Sequence, residues 1–118
     1  MATSLKDLIV WQRAVELSLA IYKLTAGFPT AEQFGLTNQL RRASVSIASN
    51  IAEGYGRPTR GEYLQSLGCA RGSNCEVRTQ LVIADGLGFG AEAKRRHAEG
   101  LCDEISRMLV VMMRKLRA

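Results

Sequence analysis

Apolar residues recur every three or four positions along most of the chain, and nowhere does a period of two persist long enough to make a strand. From about residue 7 to 25, Leu8, Trp11, Val15, Leu19 and Tyr22 mark one helical face, with Asp7 as the expected N-cap. Val10, Ala14, Leu17, Ile21 and Leu24 mark a second face roughly opposite. A helix apolar on two sides requires two partners. Gly27 and Pro29, within "AGFPTAEQFG", end this segment.

A second helix is predicted over about 36–54, with Leu36, Leu40, Ala43, Ile47 and Ile51 as its apolar stripe and the small residues Val45, Ala48 and Ala52 roughly opposite. Along one edge run Gln39, Arg42, Ser46, Asn50 and Glu53, at spacings that draw a single polar line. Arg42, Ser46, Asn50 and Glu53 are expected to form a structural hydrogen-bond and ion-pair network at a helix or subunit seam. The third helix, over about 60–86, repeats Tyr63, Leu67, Ala70, Asn74, Val77, Leu81 and Ala84. Asn74 interrupts that seam, so it needs a partner and is expected to set pairing or register. The fourth, over about 91–117, carries Leu101, Ile105, Met108, Leu109, Met112 and Leu116, its methionines serving as adaptable core filling. Four helices with short connections pack antiparallel to their sequence neighbours. The fold class is therefore all-α, an up-down-up-down antiparallel four-helix bundle in a single domain spanning 1–118.

The stretch "NIAEGYGRPTR", Asn50 to Arg60, raises a competing reading as a glycine-rich phosphate loop. A P-loop follows a strand and ends in Lys-Ser/Thr, and neither feature is present. The hinge reading wins: Gly54 as a left-handed helix stop, Gly56 and Pro58 as turn residues, and Thr59 with Glu62 as a capping box for the next helix.

Length and composition fit this picture. A chain of 118 residues with 47% hydrophobic and 23% charged residues is the size of one soluble domain. No apolar run reaches the roughly 20 residues that span a bilayer, and Asp7, Arg13 and Glu16 break any signal-peptide core, which sets the expectation of a cytoplasmic protein without membrane contact. Cys69, Cys75 and Cys102 lack zinc-site spacing, and His97 is the only histidine, so neither metal nor cofactor is expected. Cys102 and His97 stand about 140° apart on a helix, a poor nucleophile pair. Without a constellation of nucleophile, base and anion hole, the chain is not expected to be an enzyme.

Three segments, "DLIVWQRAVELSLAIYKLT", "FGLTNQLRRASVSIASNIAEGYGR" and "CARGSNCEVRTQLVIADGLG", together resemble the bacterial four-helix-bundle family named for open reading frames in intervening sequences of 23S ribosomal RNA genes. Gln39, Arg41, Arg42, Ala43, Ser46, Asn50, Ile51, Ala52, Glu53, Gly54 and Arg57 fall on the family's pattern, as do Ala70, Gly72, Ser73 and Glu76. Ala48 stands where the family often has proline, and Asn74 and Cys75 where it has an apolar and a small residue. The resemblance implies a homopentamer arranged around a central axis. It also implies a relation to the basic accessory proteins of diversity-generating retroelements, which work with a reverse transcriptase and nucleic acid.

Charge supplies the functional expectation. The net charge of +5 comes from twelve arginines and four lysines against eleven acids, and arginine suits bidentate contact with phosphate. In the bundle, Lys6, Arg57, Arg60, Arg114, Lys115 and Arg117 gather at one end, and Lys23, Arg41, Arg42, Lys94, Arg95 and Arg96 at the other. Repetition around an oligomer turns each patch into a ring. The candidate nucleic-acid contacts are Arg41, Arg42, Arg57, Arg60, Lys94, Arg95, Arg96, Arg114, Lys115 and Arg117, with RNA or DNA as the partner. Lys94-Arg95-Arg96 is the most informative group, because positive charge near a helix N-terminus is disfavoured unless an anion offsets it. The alternative is a protein-binding scaffold whose homo-oligomer presents repeated surfaces to a protein partner.

Overall fold

Each helix starts and stops where local chemistry allows. In the computed structural model, which describes residues 4–118, the helices are α1 (Ile9–Thr25), α2 (Leu36–Tyr55), α3 (Arg60–Leu87) and α4 (Glu92–Arg117), with short 3-10 turns at Leu5–Asp7 and Thr30–Glu32. Thr59 and Glu62 form the capping box that opens α3: the Glu62 N–H donates to Thr59 Oγ1 at 3.1 Å, and the hydroxyl donates to Glu62 Oε1 at 3.1 Å. The helix closes at Gly88, whose φ of 72° suits glycine. There Gly88 N–H donates to Asp85 O and Phe89 N–H to Ala84 O, while the Phe89 ring packs against Phe28 at 5.6 Å. Asp7 does not cap α1. It lies in the preceding 3-10 turn, and the helix begins after Leu8 with no side-chain cap.

Every helix packs on the two beside it, giving the ring α1, α2, α3, α4 and back to α1. Ser46 pairs with Ser73 and Gln39 with Gln80, so α2 and α3 are antiparallel. Gly68 lies beside Met113 and Arg78 reaches Asp103, so α3 and α4 are also antiparallel. The molecule measures 44 × 23 × 21 Å, which is the length of α3 at about 1.5 Å per residue. Two ends result. The terminal end holds the start of α1, the α2–α3 turn and the end of α4. The loop end holds the 26–35 connection, the α3–α4 turn and the start of α4.

Of the two apolar faces of α1, the core takes Val10, Ala14, Leu17, Ile21 and Leu24. Against them pack Leu36, Leu40, Ile47 and Ile51 of α2, Leu67, Val77 and Leu81 of α3, and Leu101, Ile105, Leu109 and Met113 of α4. The other face of α1 keeps Trp11 and Val15 half-buried and leaves Leu19 58% and Tyr22 47% exposed. Asn74 is buried, and its Nδ2 donates to the Cys102 carbonyl at 3.0 Å. That bond and the Arg78–Asp103 ion pair fix the height of α3 against α4.

Gly54 departs from its expected role. Among the described residues only Gly88 and Gly90 have positive φ, and α2 continues through Gly54 to Tyr55. Glycine is needed there for space: a Cβ would lie 2.7 Å from Ser66 Cβ and 2.9 Å from Tyr63 Cδ1. Gly54→Ala should therefore destabilise the fold by about 1–3 kcal/mol through overpacking, measured by urea unfolding. Adding Ser66→Gly should return part of that loss. Strictly additive losses would contradict the close approach.

Candidate nucleic-acid interface

The residues expected to meet phosphate divide by what already holds them. Arg95, on the first turn of α4, is buried against the end of α3. Its guanidinium donates to the Phe89 carbonyl at 2.8 Å, the Gly90 carbonyl at 2.6 Å and Asp85 Oδ1 at 2.9 Å. Positive charge near the start of α4 is thus offset by the carbonyls and carboxylate that close α3, within the chain itself. Arg95 is therefore corrected from phosphate contact to structural clamp. Arg96 is exposed and pairs with Glu92 one turn away at 3.0 Å, an arrangement that contributes little to stability.

Around Arg95 the loop end presents freer cations. Arg41 donates from Nε to Thr25 Oγ1 at 2.9 Å and lies 4.5 Å over the Tyr22 ring. Lys23 and Lys94 are exposed and line one hollow on the α1–α4 seam together with Ala20, Ala93 and His97. Neither lysine forms an ion pair among the described residues. The hollow is almost wholly apolar, so both lysines line it with their stems, and their charges stand exposed near the start of α4.

The terminal end is more self-contained. Arg57 pairs with Glu53, which holds the guanidinium pKa above its ordinary value by hydrogen bond and charge. Arg60 donates to the Ala118 carbonyl at 3.3 Å. Arg114, Lys115 and Arg117 are exposed, and they lie in the last turn of α4, where the helix dipole itself favours cations.

The polar line on α2 splits into parts. Ser46 and Ser73 share a hydrogen bond of 2.9 Å across the α2–α3 seam, and Asn50 Nδ2 donates to the Ser46 carbonyl and hydroxyl. Glu53 belongs instead to the Arg57 pair. Arg42 joins neither: it is exposed and lines an open cleft of about 370 Å3 with Asn38, Gln39, Ala43, Ser46, Ser73, Glu76 and Gln80. One expected network of four is thus a seam link through Ser46 and Asn50, an ion pair at Glu53, and an arginine with no ion pair among the described residues. The facing of Arg42 and Glu76, and the presence of Gln80 beside them, went unread in the sequence. The signal was available, because in an antiparallel pair residues equally far from Thr59 face one another.

Cys102 is buried, and Cys69 and Cys75 are exposed. Burial pushes the Cys102 thiol up to about 12, whereas the ring of His97 is exposed. The Tyr63 hydroxyl is also raised, by desolvation first and by Tyr55 second. Among the described residues no group of three His, Cys, Asp or Glu could hold a metal ion, and no helix is long and apolar enough to cross a membrane.

Comparison with known proteins bears on the frame that carries these groups. A family model described as "23S rRNA-intervening sequence protein" matches residues 6–111. The chain is similar to a crystal structure from Bacteroides thetaiotaomicron, described as a protein with unknown function from the S23 ribosomal protein family. The TM-score is 0.79 at 20% identity, over 88% of this chain and 97% of that one. At that identity the likeness concerns the fold. Among curated proteins no match is found.

Buried Arg95 and exposed Arg42 separate structure from surface. Arg95→Met should cost about 1.5–3 kcal/mol, the range for hydrogen bonds to a charged group. Arg42→Ala should stay within about 0.5 kcal/mol of the parent. Equal melting temperatures for Arg95→Met and the parent would remove the clamp.

Proposed function

The chain belongs to the 23S rRNA-intervening sequence protein family, and on that frame we propose that it works without catalysis, as a self-associating bundle that holds RNA or DNA by its phosphates. The observation that carries this reading is the placement of exposed Lys23 and Lys94 side by side at the loop end, without an ion-pair partner among the described residues and with Arg41 on the adjoining α1–α2 seam. Arg42 extends the positive surface toward α3. Arg114, Lys115 and Arg117, with Arg57 and Arg60, form the competing end, whose charges have internal partners or a favourable helix terminus. Phosphate binding strengthens with each charge engaged at once, so self-association serves the same function by repeating the patch.

Support for self-association comes from the outer face of α1, where exposed Leu19 and Tyr22 continue a stripe from half-buried Trp11 and Val15. The family resemblance sets the proposed number at five. A second reading, a scaffold for a protein partner, is favoured by one observation: an open apolar groove of about 580 Å3 at the terminal end, between Leu8, Ile9 and Val10 of one side and Met108, Val111 and Met112 of the other.

Light scattering should give five times the 12.9 kDa chain mass, and Leu19→Glu should lower it. A parent mass of one chain at micromolar concentration would contradict self-association. Binding to single-stranded RNA should weaken linearly in log–log form with salt. The paired reversals Lys23→Glu and Lys94→Glu should flatten the slope by about 0.7 per lost phosphate contact. Absence of binding even at about 50 mM salt would leave the scaffold as the better reading.

A further inference from the structure

The α2–α3 cleft holds chemistry that phosphate binding does not use. Arg42 and Glu76 occupy opposite walls at the same height, since the flanking pairs Ser46–Ser73 and Gln39–Gln80 fix the register. Opposite charges so placed normally close into an ion pair. Here both are exposed, and neither forms an ion pair among the described residues. Arg42 therefore has donors to offer and Glu76 has acceptors, with open space between them.

A second observation points the same way. Gln80 lines the cleft at 8% exposure, and its Oε1 is buried without a hydrogen-bond partner. Its Nε2 reaches Gln39 Oε1 only at a long 3.4 Å. A buried amide oxygen without a donor costs about 1–3 kcal/mol unless something satisfies it. An incoming N–H that reaches Oε1, with the Gln39 contact to Nε2 left in place, would do so. The fitting ligand thus presents acceptors on one edge, for a guanidinium, and two or more donors on another, for a carboxylate and an amide oxygen.

We propose that this cleft reads a guanine base in a single-stranded nucleic acid. Guanine offers O6 and N7 as acceptors to Arg42, the commonest specific arginine contact. Its N1–H and N2 amino group supply donors to Glu76 and Gln80. Adenine and cytosine each lack a two-donor edge of this kind, and uracil has one ring donor only. The single-stranded form is required because those donors are otherwise engaged in base pairing. The inference deepens the phosphate-binding reading and rests on it for delivery of the strand: Arg41 and Arg42 are consecutive on α2, one toward Tyr22 and the other into the cleft.

Fluorescence anisotropy on the full chain with an eleven-residue oligouridine and the same strand carrying one central guanosine tests this. The guanosine should tighten binding about tenfold, within the range for a bidentate base contact. Central adenosine or cytidine should not, and inosine, which lacks the N2 amino group, should fall between. Glu76→Gln should abolish the guanosine preference while leaving oligouridine binding intact. The paired reversals Lys23→Glu and Lys94→Glu should weaken every strand alike. Guanosine monophosphate alone, followed by the Gln80 side-chain amide resonance, supplies the independent arm. If oligouridine binds and guanosine adds nothing, the cleft proposal is overturned and phosphate binding stands. If no strand binds but guanosine monophosphate shifts Gln80 and adenosine monophosphate does not, phosphate binding fails and the cleft stands. If neither occurs, both fail.

Discussion

The close approach of α2 and α3 at Gly54 is the constraint from which the bundle's working surfaces follow. With no Cβ there, the Ser66 methylene and Tyr63 ring of α3 come within distances a side chain would forbid. Ser46 and Ser73 then meet at hydrogen-bonding distance farther along the same seam. Small residues hold the helices together toward the terminal end, and longer side chains, Gln39, Arg42, Glu76 and Gln80, stand at the loop end. A seam that is small at one end and long-chained at the other makes a cleft without disturbing the core. Asn74 performs the complementary task on the far side of α3, where its bond to the Cys102 carbonyl helps set the height of α4.

Charge on this frame serves two purposes that composition alone cannot separate. Arg95 closes the end of α3 by donating to two backbone carbonyls and a carboxylate, so its charge is part of the fold. Arg13 is likewise held by Glu104 at 2.8 Å, which raises its pKa above the ordinary value. Among the described residues, Lys23, Lys94 and Arg42 form no ion pair. Desolvation and pairing decide which cations are available to a ligand, and the count of basic residues at an end does not.

Much of the fold was legible in the sequence because helical periodicity and capping chemistry are local. The stripes of α2 and α3 match the buried core, that of α4 matches it at Leu101, Ile105 and Leu109 while Met113 is buried in place of Met112, and the Thr59–Glu62 box marks the start of α3. Asp7 was misread because an acid before an apolar run resembles a cap, whereas the chain makes a 3-10 turn first. Gly54 was misread for a subtler reason: a glycine near a helix end signals either a left-handed residue or a close neighbour, and only tertiary packing distinguishes them. The basic ends were legible as ends, since up-down topology fixes them. The burial of Arg95 was not, because it depends on how the α3–α4 turn aims its carbonyls. Glu76 and Gln80 went unread as partners of Arg42 because cross-seam register is a long-range property.

The proposed function places nucleic acid at the loop end of the bundle and not at the terminal end. Hydrogen–deuterium exchange with and without a single-stranded RNA at low salt addresses that directly, since it reports backbone protection segment by segment. Protection is expected in the 20–42 and 92–97 segments and along the Arg42–Gln80 cleft, with the last turns of α4 unchanged. Protection confined to Arg114, Lys115 and Arg117, or none anywhere, would contradict it.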